Sequence, residues 1–593
     1  PIQLRSEALM ANKSFSLRDI KGLTPAIDPT QASEQLFVLQ GKNFTLDSIG
    51  PKSNFGDRLM STTALARRAN TQGIMVPTTT GRLSFLMTTE AIWLYNYAIR
   101  DYDLVFALPE LSPVGRWTWA YLSRRVYFAH PDLGDMIVYH VDTGVARLAS
   151  QIALGLPEGI SAVGETNARI VGIDADLNAF WSAPSDGLDY RPALGGAGFQ
   201  SVEERISGAP LALGTDAGGV NIFTTNGILR GNFNNSAAVF EWKAISTEFK
   251  PMNGMCVSRA SDDTQVILDI RGLFVVERNT IKALTPIFNE FLINYLREQE
   301  LNLADNARLE WDFADRRVFI SLRHATGTSL YDKAFVLYLP LDKWGTFDEK
   351  HYGILPLARG ETEGAGFVDE SGRVRYWKSA GSKVDSVVPV SSDAHIATHN
   401  VPTTELVGVE YQLTGSCHPA RDYADSTGWT ISGFYGVSAN APGNPALRDL
   451  DSFVSIGLLR GVDERSPQDL TEVLGLQIRS LVSGPADQVT ADYNVIESGT
   501  EDEDYNVLVG QEDFGPSRLH HVSHSVDVHG SIDGVTAWQS QPGVPAGFVE
   551  GARYYTCSVI GIWHVIRIGA ETQGDAYHLR TCGLVATYAG RLD

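Results

Sequence analysis

Cysteine is scarce in this chain, with four residues in 593: Cys256, Cys417, Cys557 and Cys582. Their spacing fits neither a zinc knuckle nor a disulfide-dense secreted module, so reduced structural thiols are expected. Long apolar runs are missing too. No stretch reaches the ~18 apolar residues of a membrane-spanning helix. The opening PIQLRSEALMANKSFSLRDI lacks the apolar core of a signal peptide. Both absences lead to the expectation of a soluble protein made in a cytoplasm. Basic charge is in deficit: 48 Lys and Arg stand against 70 Asp and Glu, a net charge of −22, and no Lys/Arg-rich run occurs. That argues against holding DNA by phosphate neutralisation, which needs clustered cations. An acidic surface would instead repel nucleic acid.

Signatures of common chemistry are missing as well. "LQGKNFT" (39–45) has Gly-Lys without the upstream glycine of a phosphate loop, and "LGGAGF" (194–199) lacks a βαβ context. There is no GxSxG elbow. The stretch "RLHHVSHSVDVHG" (518–530) concentrates four histidines and an aspartate, but its valines at 522, 526 and 528 follow the period of a strand. On that strand His521, Ser523, Ser525, Asp527 and His529 face one way, and His520 and His524 face the other. His521 and His529 would lie about 26 Å apart and cannot share an ion. His529 with Asp527 could at most hold zinc weakly. A polar strand face, wet or at a subunit contact, is the expectation. No metal and no cofactor is assigned.

What is present is a globular composition, 43% apolar and 10% aromatic, with 56 glycines and 26 prolines spread widely enough to suit many short strands and turns. From about 55 to 390 one arrangement keeps returning: a short apolar run, a turn with Asp, Asn or Gly, and a second run. "GRLSFLMTTEAIWLYNY" (81–97), "RIVGIDADLNAFWSAP" (169–184), "VNIFTTNGILRGNF" (220–233), "QVILDIRGLFVVER" (265–278) and "GAGFVDESGRVRYWKS" (364–379) each read as a β-hairpin. Recurrence at roughly 40–55 residues, with no repeated motif discerned, suits a β-propeller of four-stranded blades. A stack of unrelated sandwiches is the competing reading. The fold class expected is therefore all-β: a propeller of about five to seven blades over 55–390 with an inserted helix, plus C-terminal sandwich-like modules. The helix falls within 285–306, where apolar residues at 288, 291, 292, 295 and 296 follow i, i+3, i+4 spacing. Residues 1–54 read as an extended arm, 391–405 as a linker, and 406–593 as a further all-β region that could return to close the propeller. The acidic "ESGTEDEDYN" (497–506) reads as a solvated loop.

The best candidate for catalysis is glycoside hydrolysis by Glu310 and Asp312 in "LEWDFAD", which share a strand face at roughly 6–7 Å. Asp312 and Asp315 also bracket a turn, however, and Asp174 and Asp176 in "GIDADLN" do the same, the usual setting of turn-forming acids. The SxDxGxxW turn of many sialidases is absent. The expectation is no enzymatic activity and no catalytic residue. Trp117, Trp119, Trp181 and Trp311 are the aromatics that could line a pocket, with packing between blades as their plainer role.

The hairpins carry a resemblance. "LNAFWSAPSDGLDYRPA" (177–193), "GGVNIFTTNGILRG" (218–231), "ARLEWDFADRRVFISL…SLYDKAFVLYLPLDKWGTF" (307–347) and the C-terminal "IWHVIRIGAETQGDAYHLRTCGLVATYAGRLD" (562–593) resemble segments of the tail nozzle proteins of short-tailed phages (podoviruses). These are also called packaged-DNA stabilization or tail tubular proteins. The resemblance implies a structural virion protein of the tail, assembled in the host cytoplasm. Copies of it, six as the expected number, would form a ring below the portal and its adaptor and line the DNA exit channel. They would retain the packaged genome until ejection, with tail fibres or spikes as further partners. DNA would pass through the lumen without specific binding. The alternatives are a carbohydrate-binding or glycan-hydrolysing propeller on the virion surface and an all-β interaction protein outside phages.

Overall fold

The computed structural model describes residues 11–20, 22–23, 37–377 with short interruptions, 447–448, 452–459, 469–480, 524–531, 539–542, 544–549, 552–570 and 579–591. The interruptions are 54–56, 60, 62–63, 66–67, 79–80, 97–100, 110, 113–114, 194–195, 235–238, 262–263, 285, 313–315, 326–327, 342 and 360–361. The chain divides into two units. One comprises Met60–Phe335 and Glu349–Tyr376. The other comprises Pro1–Leu59, Val336–Asp348 and Trp377–Asp593.

The first unit is a seven-bladed β-propeller. Its blades open on the strands Gln72–Thr78, Thr118–Leu122, Ile160–Thr166, Pro210–Asp216, Val257–Ser261, Ala307–Asp312 and His351–Arg359, at intervals of 42 to 50 residues. Blades one to five are complete antiparallel sheets of four strands taken in chain order. Blade seven contributes three strands to this unit, and blade six two with the first half of its third, Lys333–Tyr338. Second strands are the most buried: Arg169–Asp174 and Gly219–Thr224 are covered along their whole length, and Arg125–Ala129, Thr264–Asp269 and Arg317–Leu322 at all but their first residue. Outer strands are largely exposed, as in Gly198–Ser201 and Thr280–Ala283. That gradient explains why the middle strands read as unbroken apolar runs: both faces of each are covered by neighbouring blades.

The core accordingly lies between blades. Phe85, Phe128, Ile137 and Tyr139 join blades one and two, while Val171, Ile173, Trp181, Ile222 and Trp242 join blades three and four. Each such side chain contributes about 1.5–3 kcal/mol by leaving water. The ring closes where the first strand of blade seven meets that of blade one. A Cβ on Gly73 would lie 2.7 Å from Pro356 O, an approach only glycine permits. Two-residue turns such as Ser123–Arg124 (φ 51° and 60°) and Asn167–Ala168 (φ 51° and 55°) put both residues at positive φ. The right-handed strand twist demands that geometry even where neither residue is glycine.

Helix α1 (Pro286–Glu298) connects blades five and six, within the expected 285–306, and a single further turn, Leu303–Asn306, follows it. Phe288, Leu292 and Leu296 are buried on one face. Asn289 pins the helix to blade five: its Oδ1 accepts from Leu273 N at 2.8 Å, and its Nδ2 donates to Leu273 O at 3.2 Å. Phe291 and Tyr295 pack edge-on against Phe335 of blade six.

The second unit is a sandwich of two five-stranded antiparallel sheets. One runs Ala11–Ser16, Leu579–Arg591, Asp469–Ser480, Ala552–Gly561 and Val544–Val549. The other runs Phe37–Lys42, Phe453–Leu459, Trp563–Ala570, His524–Ser531 and Gln539–Pro542. The extended arm expected over 1–54 is, in its described part, built into these sheets: Ala11 pairs with Ala586 and Phe37 with Gly457. Edge strands are held by backbone hydrogen bonds, so "ANKSFS" needs no apolar alternation to take its place. Phe44–Leu46 pairs with Lys343–Phe347, whose Trp344 is buried over Gly22 and donates from Nε1 to Leu23 O at 3.2 Å. Lys343 Nζ donates to the carbonyls of Arg18 and Asp47. The 391–405 linker and the 497–506 acidic stretch lie outside the described residues. No described helix is long and apolar enough to cross a membrane.

Candidate functional site in the axial cavity

Seven first strands converge on the axis of the propeller and enclose a cavity of ≈ 590 Å³. Every blade contributes to its wall, among them Gln72, Arg116, Trp119, Tyr121, Glu165, Thr215, Ser258, Gln265, Glu310 and Pro356. The lining is mixed, with aromatic rings beside amides, hydroxyls and ionised groups.

The electrostatic centre is Glu310. Arg116 Nη2 lies 3.5 Å from its Oε1, and Arg308 Nη2 lies 3.4 Å from its Oε2. Arg308 is fully buried, and burial pulls its pKa below the ordinary value. Its guanidinium also donates to Ile354 O at 3.1 Å and to Thr71 O, so it ties blade six to the closing strands of blades seven and one. Backbone carbonyls and the Glu310 carboxylate thus meet both Nη groups, while Nε has no acceptor among the described residues.

The candidate acid–base pair is thus committed elsewhere. Glu310 and Asp312 do sit two apart on Ala307–Asp312, as the spacing predicts. But Asp312 is buried and takes Arg317 at 2.8 Å through Oδ2, while Glu310 lies between two arginines. Asp315 lies outside the described residues. Asp174 is buried and accepts from Asp176 N at 2.9 Å and Asn178 N at 2.8 Å, a turn-forming carboxylate.

That turn belongs to a repeat that the sequence analysis missed. At or just after the end of the second strand, five blades place an Asp or Thr whose side chain accepts from the turn backbone. These are Thr88, Asp174, Thr224, Asp269 and Asp369, with bonds of 2.8–3.2 Å. The signal is an apolar residue, then Asp or Thr, two variable residues and, in three blades, Gly: "TTNG", "DIRG" and "DESG". Burial pushes the Asp269 carboxyl up, but hydrogen bonds from Arg271 and from the Lys250 amide outweigh it and hold it below its ordinary value.

A second buried network reaches the cavity wall from blade four. Asp216 pairs with Arg230, whose Nη2 donates to Oδ1 at 2.7 Å, and both are buried. Arg230 Nη1 reaches Asn221 Oδ1 at 3.4 Å, and Asn221 Nδ2 donates to Gln265 Oε1 at 2.6 Å. Gln265 is 1% exposed, and its Nε2 has no acceptor among the described residues. None of these four was legible as a site residue, since each reads as an ordinary polar position on a strand.

Of the four tryptophans, Trp117 is buried between blades one and two with Nε1 donating to Thr88 O at 3.1 Å. Trp181 is buried between blades three and four and donates to Gly196 O at 3.1 Å. Trp119 is half-buried on the cavity wall, and Trp311 is half-buried on blade six. In the second unit Val526, Val528 and Gly530 are buried while Asp527 and His529 are half-buried, the alternation expected of that strand. Burial lowers the His529 pKa, with Asp527 opposing and Arg567 adding to the shift. His520 and His521 lie outside the described residues. No group of three metal-ligating side chains occurs among the described residues.

No family model matches this chain, and no curated protein matches it. Solved structures do. The computationally designed Ika8 protein aligns over 55% of this chain and 100% of its own, at 11% identity and a TM-score of 0.32. BBS1N in complex with ARL6DN aligns over 57% and 97%, at 7% identity and 0.34. YCF48 bound to D1 peptide aligns over 54% and 98%, at 9% identity and 0.33.

Proposed function

We propose that this chain is a structural subunit of a short-tailed phage tail, a nozzle-type protein that forms a ring around the DNA exit channel and performs no catalysis. The observation that carries the reading, beside the resemblance in sequence, is that both units are closed by strands distant in sequence. Blade seven locks on blade one, and Ala11–Ser16 pairs in register with Leu579–Arg591. Closure of this kind leaves few free sheet edges and makes a stiff block, which suits a subunit that must carry load without aggregating. The candidate acid–base carboxylates Glu310 and Asp312 are each held in arginine ion pairs, which favours structure over acid–base chemistry. Identical subunits would join through head-to-tail, closing interfaces. The charge of −22 per chain, multiplied around a ring, would keep a passing phosphate backbone from sticking.

Electron microscopy of the native particle containing this chain tests the proposal. A ring of propellers on the axis below a portal and adaptor is the expected image. A lone protomer, or a peripheral spike away from the axis, refutes it.

A further inference from the structure

We propose that the axial cavity of the propeller binds a small monocarboxylate on Arg116. This goes beyond the structural role and does not depend on ring assembly. A side chain that crosses the axis sets the chemistry. Arg116 enters from blade two, just ahead of the strand Thr118–Leu122. Yet its Nη1 donates to Leu309 O at 3.4 Å and its Nη2 lies 3.5 Å from Glu310 Oε1, both on blade six. Blades two and six are not neighbours in a ring of seven, so the guanidinium lies across the axis. Its backbone closes the same level: a Cβ on Gly254, which leads into blade five, would lie 3.2 Å from Arg116 N and 2.9 Å from Leu211 O of blade four. Four blades thus meet here and give the ≈ 590 Å³ cavity a floor.

The floor carries a surplus of positive charge. Arg116 and Arg308 share the single carboxylate of Glu310, and neither contact is shorter than 3.4 Å. Burial lowers the Arg308 pKa first, and the like charge of Arg116 lowers it further. A guanidinium cannot relieve this by losing a proton. Arg308 is fully buried, whereas the Arg116 side chain is 14% exposed and lines the cavity, so Arg116 is the one a ligand can reach. An uncompensated charge drawn out of water calls for a counter-ion. The planar guanidinium fork selects a carboxylate, which takes two parallel N–H bonds. The opposite end of the cavity limits the ligand to one charge. Val163 N donates to Thr118 Oγ1 at 2.8 Å, which aligns the first strands of blades two and three. Arg116 stands two residues before that pair and Glu165 two beyond it, roughly 13 Å apart at ~3.3 Å per residue. The Glu165 carboxylate accepts from Ala168 N at 3.0 Å and makes that end acidic. A second negative charge would meet its repulsion. Between the two ends Met75, Trp119 and Leu213 supply apolar wall for a short tail.

The experiment is isothermal titration of the full chain with acetate, propionate and benzoate. Acetamide and benzamide keep the shape and remove the charge, and phthalate adds a second charge. At least one monocarboxylate is expected to saturate with a Kd of about one millimolar or tighter, about tenfold or more tighter than its amide. Arg116→Met is expected to weaken that binding about tenfold or more, and Glu310→Gln, which enlarges the surplus, to tighten it about threefold or more. The comparison of acid with amide needs no substitution, so it reads the site even if both variants fail to fold. Absence of saturation by every monocarboxylate overturns the proposal. So does an amide that binds as tightly as its acid, or phthalate that binds more tightly than benzoate. In a folded variant, binding unchanged by Arg116→Met or weakened by Glu310→Gln overturns it as well. Because the readout is binding by the isolated chain, its failure leaves the ring proposal standing, and failure of the ring leaves this one standing.

Discussion

Three buried histidines make this protein sensitive to acid well above the range in which its carboxylates titrate. His130 and His351 lie in the propeller and His564 in the sandwich, each no more than 1% exposed. Burial lowers each pKa from 6.5 to about 4. The hydrogen bonding of His351 shows why the neutral ring is preferred. Its Nδ1 lies 2.8 Å from the Glu349 carbonyl, which can only accept, and its Nε2 lies 2.9 Å from Ser321 Oγ, which can donate to an unprotonated nitrogen. Protonation at Nε2 would turn that acceptor into a second donor inside the core. His130 packs against Trp117 with ring centroids 5.1 Å apart, and its Nδ1 accepts from Asp132 N at 3.3 Å.

As pH falls below 6.5 the unfolded chain binds protons that the folded chain refuses, so stability is fully present above 6.5 and is lost on the way down to about 4. At pH 5 the linkage relation gives about 2 kcal/mol lost per histidine, hence about 4 kcal/mol in the propeller and about 2 in the sandwich. The window from pH 7.5 to 5.0 isolates the imidazoles, because carboxylates held below their ordinary values, such as Asp269 and Asp369, remain charged throughout it. Hydrogen exchange of core amides, corrected for intrinsic rates, reads the two units separately. His351→Gln is expected to halve the pH response of the propeller and leave that of the sandwich alone. Opening free energies of the propeller that stay level within about 1 kcal/mol between pH 7.5 and 5.0 would refute the reasoning, since shifts of the cited size require a change about four times larger there.

Two further outcomes follow from the polar networks. Arg230→Met should cost about 3–5 kcal/mol by leaving Asp216 buried without its partner, and adding Asp216→Leu should recover most of the loss, both read from urea unfolding midpoints. Asp174→Ala should cost about 1–2 kcal/mol and speed exchange of the Asp176 and Asn178 amides, because it removes the acceptor that holds the turn; unchanged exchange there would contradict the role given to the side chain.

The propeller was legible where one physical signal dominated. Runs such as "QVILD" and "VFISL" are buried on both faces, so they read as strands whatever lies around them, and the turns between them carry residues that tolerate positive φ. Helix α1 was legible because Phe288, Leu292 and Leu296 share one face. Pairings at long range were not. "ANKSFS" joins the sandwich through backbone groups that every residue possesses, so its composition carries no mark of the strand it meets. The same limit hid the site. Alternation says that Gln265 and Asn221 face inward, but inward in a propeller means either toward the next blade or toward the axis, and only closure of all seven blades separates the two. Glu310 illustrates the consequence. Its spacing from Asp312 was read correctly, yet what the carboxylate can do is decided by Arg116 and Arg308, one of them 194 residues away in the chain. Ionised groups inside a protein take their chemistry from such partners more than from their neighbours in sequence. For this fold, then, the role of a polar residue is decided by which blades close around it, as Gln265 on the second strand of blade five shows by accepting from Asn221 of blade four.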